Sequence, residues 1–103
     1  MKKYIIVLNV GPRRFFYSIE YLTNGCQRLF SRYFAAAHFF DSVENTKEEF
    51  SSISKEDKSY LLMRVKESGQ FTEEQMQHYR ITIHQIDLSE ISLLDGVQQT
   101  LIQ

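Results

Sequence analysis

The chain has 103 residues, 43 % hydrophobic and 24 % charged, with a formal net charge of −1, one Pro, four Gly and one Cys. This balance fits a single globular domain spanning 1–103 rather than a disordered chain. No apolar run approaches the ~18 residues of a membrane span, so no membrane partner is expected, and the lone Cys26 points to a reducing cytoplasm.

The opening MKKYIIVLNVG places two lysines before a short apolar run, Tyr4 to Val10, that contains Asn9 and precedes no small-residue cleavage site. Its β-branched content predicts a strand over Lys3–Asn9 rather than a leader. Gly11-Pro12 supplies a turn, because Pro fixes φ and Gly admits unusual backbone angles. RFFYSIEYLT then reads as a second strand, with Phe15, Tyr17, Ile19 and Tyr21 on one face and Arg14, Phe16, Ser18 and Glu20 on the other. Asn24-Gly25 is a hairpin signal. It predicts a third strand from Arg28 to Phe34 and completes an antiparallel meander.

From Asp41 the pattern becomes helical. Asp41 and Glu44 have the spacing of a capping box, and Val43, Thr46, Phe50 and Ile53 recur at helical intervals. Ser54 and Asp57 repeat the cap spacing, so SKEDKSYLLMRVKESG is expected to be a second helix ended by Gly69. Periodicity alone does not separate helix from buried strand for Tyr60–Val65; helix is the reading adopted. Thr72 with Gln75 forms another capping box, and Phe71 with Met76 occupies the positions of a hydrophobic staple, predicting a brief helix from Glu73 to about His78. YRITIHQID is a fourth strand. Asp87 and Glu90 would cap a last helix with Ile91, Leu94, Val97 and Leu101 on its apolar side. The expected architecture is α+β, an antiparallel sheet of about four strands that begins with a three-stranded meander and carries helices on one face.

Little here suggests catalysis. His78 and His84 lack a metal-site spacing, His38 and Cys26 are unmarked by any further partner, and no glycine-rich phosphate loop occurs. Acidic neighbours such as Glu48-Glu49, Glu56-Asp57 and Glu73-Glu74 point about 100° apart on a helix and do not converge. No enzyme activity, metal or cofactor is expected.

Charge is divided unevenly. Residues 1–40 hold six basic side chains and one acid, net +5; residues 41–103 hold six basic and twelve acidic side chains, net −6. Two binding surfaces follow. In RLFSRYF, a strand would align Arg28, Phe30, Arg32 and Phe34 on one face, giving rings and guanidinium groups for single-stranded RNA or DNA. Alternatively the same rings are core and the arginines snorkel outward. The second surface is acidic, from Glu44, Glu48, Glu49, Glu56 and Asp57, rimmed by Arg13, Arg14, Arg28 and Arg32. It would meet a protein partner and mimic phosphate charge. An exposed edge strand also allows a homodimer.

The order of strand, hairpin and strand, then AAAHFFDSVENTKEEF, then YRITIHQID, resembles small α+β accessory proteins encoded by phages and mobile elements. Ala37, Phe40, Asp41, Ser42, Glu44 and Phe50 carry the match. That group includes anti-defence proteins, among them inhibitors of CRISPR effectors. The resemblance therefore implies a protein-binding inhibitor of a host nucleoprotein enzyme, and transfers no site residues.

Overall fold

The computed structural model describes residues 2–55 and 58–87 in full and the backbone of 99–101. An antiparallel sheet is built from β1 (Lys2–Val10), β2 (Arg13–Leu22), β3 (Gly25–Ser31), β4 (Tyr79–Asp87) and the short β5 (Gln99–Leu101), in the order β3-β2-β1-β4-β5. A single 3-10 turn lies at Phe34–Ala36, and the helices are α1 (Val43–Lys55), α2 (Ser59–Gly69) and α3 (Glu73–Met76). The α+β expectation and the N-terminal meander stand. None of the helices among the described residues is long and apolar enough to cross a membrane.

The continuous apolar run of β1 is explained by burial on both faces. Ile5, Ile6, Val7 and Leu8 are all fully buried, as expected of a central strand covered on both sides. One side holds Ile6, Leu8, Val10, Phe15, Tyr17, Phe30 and Ile83, packed under Phe40, Ile53, Val65 and Met76. The other holds Ile5, Val7, Phe16 and Ile86, packed against Ala37, Phe34 and Phe39. The helices sit on the first side, and residues 34–39 supply a second, smaller core on the other.

β1 and β4 pair along their whole length, from Lys2↔Asp87 to Val10↔Tyr79. β1 and β2 pair only from Val7↔Phe16 to Val10↔Arg13. Beyond that point the chain following β3 bonds to both. Tyr4 N–H donates to the Phe40 carbonyl at 3.0 Å, Phe40 N–H to the Tyr4 carbonyl at 2.8 Å, and His38 N–H to the Tyr17 carbonyl at 2.8 Å. Backbone groups that the diverging strands would leave unpaired are thereby satisfied. The insertion also stacks Phe40 on Tyr17, with ring centroids 6.5 Å apart.

Local chemistry corrects several boundaries. β3 stops at Ser31 rather than Phe34, because the Ser31 hydroxyl accepts the Tyr33 N–H at 3.1 Å and turns the chain out of the ladder. Ser42, rather than Asp41, opens α1: its Oγ accepts the Asn45 N–H at 3.1 Å. Asp41 instead pairs with Lys3, whose hydrogen bond and charge hold its carboxyl below the usual value. Tyr60–Val65 is helical, and α2 ends in a Schellman motif. Gln70 adopts φ 55° while Phe71 N–H reaches the Lys66 carbonyl at 3.0 Å and Gln70 N–H the Glu67 carbonyl at 3.4 Å. The left-handed residue is therefore Gln70, and Gly69 is the last helical one. The Thr72–Gln75 capping box is present, although α3 closes at Met76 rather than His78. Most of the expected last helix, with Ile91, Leu94 and Val97, lies outside the described residues. Leu101 belongs to a strand paired to His84.

Candidate functional site

β3 is one of the two outer strands of the sheet among the described residues, and the direction of its backbone groups follows from the ladder. In antiparallel strands the N–H and C=O of one residue share a side, and sides alternate along the chain. The Tyr17 carbonyl bonds His38, on the β1 side of β2. Tyr17 therefore turns away from its register partner Phe30, and Phe30 in turn points its N–H and C=O away from β2. By alternation Cys26 does the same. These groups line the sheet's outer edge, where a further strand can add.

α2 runs beside this edge. At its first turn the Gln27 amide donates to the Tyr60 hydroxyl at 3.0 Å. Farther along, Leu29, Phe30 and Ser31 of β3 and Arg32 just after it face Arg64 and Glu67 across a groove of about 340 Å³. That is near the lower limit of ligand cavities, about 300–1,000 Å³; it suits one or two side chains. Arg32 lies over the Tyr33 ring at 5.1 Å and Arg64 over the Tyr60 ring at 6.0 Å. Tyr33 is 60 % exposed and Tyr60 52 %, and Met63 and Tyr21 are also exposed. Large rings left in water around an open strand edge distinguish this region from the rest of the described surface.

The sequence-predicted site residues scatter. Arg28 leans across to α1 and pairs with Glu49 at 3.6 Å. Phe30 is buried in the helix-side core, while Phe34 packs on the opposite core, edge-on to Phe16 at 5.4 Å. The expected basic-aromatic face of Arg28, Phe30, Arg32 and Phe34 therefore does not form, since β3 ends before two of the four. Arg13 is a structural latch: its guanidinium donates to the Gly69 carbonyl at 3.0 Å and lies over Phe15 and Phe71 at 5.5 and 5.2 Å. Arg14 faces the other side of the sheet, in register with Asn9. Glu44 and Glu48 are exposed on α1, with Glu49 turned toward β3. Glu56 and Asp57 lie outside the described residues.

The far face of the sheet carries a polar row. Asn9 Nδ2 donates to Thr82 Oγ1 at 3.1 Å, and Thr82 Oγ1 lies 2.8 Å from His84 Nε2. If the Thr82 hydroxyl passes its hydrogen onward, the imidazole proton sits on Nδ1, which is buried with no partner. Burial, and secondarily the charge of Arg14, holds His84 below the ordinary histidine value, favouring the neutral ring. His38 packs edge-on to Phe40. Its attachment point Tyr17 is four residues along β2 from Tyr21, the partner of Cys26, a separation of about 13 Å. Among the described residues no three His, Cys, Asp or Glu side chains converge to hold a metal.

Tyr33, Tyr60, Met63 and Arg64 were not singled out by the sequence patterns. A signal for part of the set exists in retrospect: Tyr60 and Arg64 are spaced i, i+4 on a helix, which brings a guanidinium over a ring. No protein-family model, curated protein or solved structure matches the chain.

Proposed function

We propose that this domain is a non-catalytic protein-binding module that takes an extended segment of its partner onto the outer edge of β3. The observation that carries the reading is the open edge with its outward-facing Cys26 and Phe30 backbone groups, bordered by α2 and by exposed Tyr33 and Tyr60. Strand addition takes its affinity from main-chain hydrogen bonds and its specificity from the pockets beside the edge. The groove between β3 and α2 supplies such a pocket. The resemblance to phage-encoded accessory proteins makes a bacterial nucleoprotein enzyme the first target class to test. The acidic surface remains a second contact in that proposal: Glu44 and Glu48 stand exposed on α1, while Glu49 engages Arg28.

One arrangement favours single-stranded nucleic acid instead: Arg32 and the exposed Tyr33 together offer a cation and a ring. A tagged pull-down from bacterial lysate, with and without nuclease, separates the readings. Cys26→Pro removes an outward N–H without touching the β2 ladder. A protein captured by the wild-type domain after nuclease treatment, and lost with Cys26→Pro of unchanged circular dichroism, supports strand addition. Capture that survives Cys26→Pro refutes it. Capture of nucleic acid alone, released by salt, transfers the function to the Arg32–Tyr33 surface.

A further inference from the structure

We infer that the segment taken by the β3 edge is acidic, and that an Asp or Glu side chain of it enters the groove between Arg32 and Arg64. The inference rests on the strand-addition reading and names its partner's chemistry. Arg32 and Arg64 both line the groove, and among the described residues neither has a carboxylate partner. Arg28, a few residues away, does find one in Glu49. Glu67 is the only acid of the lining, so two guanidinium groups against one carboxylate leave it at +1.

Both arginines are also preorganised. Each lies over a tyrosine ring, which restrains the long side chain while leaving the planar N–H fork available. A carboxylate can accept two parallel hydrogen bonds from such a fork, a geometry stronger and more selective than a point charge. Leu29 and Phe30 add an apolar patch to the groove. An alternation of acidic and apolar residues therefore fits better than a purely acidic segment. A second copy of this chain fits worse, since β3 itself carries no Asp or Glu to place in the groove.

The test uses the whole chain, isotope-labelled, titrated with three end-blocked peptides and followed by NMR. The probes are Thr-Val-Glu-Val-Glu-Val-Thr and its counterparts with Gln or Lys in place of both Glu. The Glu peptide is expected to shift the Cys26 and Phe30 amides and the Arg32 and Arg64 Nε–H signals, with affinity about tenfold above the Gln peptide. Arg32→Gln with Arg64→Gln should lower the Glu peptide to the level of the Gln peptide. Equal binding of all three peptides at β3 overturns the acidic preference and leaves strand addition intact. Binding of none, or shifts confined to other surfaces, overturns the strand-addition reading as well. Concentration-dependent shifts of Cys26 and Phe30 without peptide would make a second copy the occupant and overturn the inference.

Discussion

Gly69→Ala inverts an ordinary rule. In an exposed helix, replacing Gly by Ala stabilises by about 1 kcal/mol, because Gly has the larger backbone entropy to lose. At Gly69 the added methyl would lie 2.3 Å from Phe71 Cε2, with Cδ2 and Cζ at 2.7 and 2.9 Å. Ordinary contact begins near 3.4 Å, so the ring must withdraw by roughly 1 Å. It is not free to do so. Phe71 stands edge-on to Phe15 at 5.8 Å and lies under the Arg13 guanidinium at 5.2 Å. Overpacking of this kind costs about 1–3 kcal/mol, which exceeds the propensity gain and leaves a net loss of about 1 kcal/mol. Unfolding entropy scales as about 2.1 cal/mol/K per residue, so for this chain the melting temperature should fall by about 5 °C. Thermal and urea unfolding followed by circular dichroism measure it. In a Phe71→Ala background the same substitution should become neutral or stabilising, because the obstructing ring is gone. A higher melting temperature for Gly69→Ala in the otherwise wild-type chain would refute the reasoning.

Two further outcomes follow from the packing. Arg13→Ala removes a charged hydrogen bond to the last helical carbonyl of α2 and two ring contacts, for a loss of about 1 kcal/mol by urea titration, since the group is solvent-exposed. Arg13→Lys should recover only part of it, and partner capture should be insensitive to either if Arg13 acts as a latch. His84 has a folded-state value below its unfolded one. Its contribution is therefore complete above the unfolded value near 6.5 and is lost as pH falls toward the folded value, since the unfolded chain takes up the proton first. Between pH 7 and 5.5 the wild-type urea midpoint should decline more steeply than that of His84→Leu; parallel slopes would rule this linkage out.

The strand-addition proposal also bears on pairing between copies of the chain. The β3 edge is bordered by Arg28 and Arg32 and followed by a chain turn at Ser31–Tyr33. In that proposal the charge of Arg32 at the end of the edge disfavours pairing between copies and favours an acidic partner.

What the residues determined on their own is local. The alternation in RFFYSIEYL set which side chains of β2 face each core, the Thr72–Gln75 pair set the start of α3, and YRITIHQID set β4, because each signal acts through neighbours in the chain. Tertiary structure decided the rest. Phe30 and Phe34 looked equivalent in RLFSRYF, yet they enter opposite cores, since a serine hydroxyl ends the strand between them and the following segment crosses the sheet. Asp41 looked like a helix cap and became the partner of Lys3, 38 positions away. Leu101 had helical spacing, but β4 offered a hydrogen-bonded edge that no local pattern announces. The groove is the clearest case. Arg32 and Arg64 come from a strand end and a helix that only the packing of α2 against β3 brings together, so their shared chemistry exists in no single stretch of the chain.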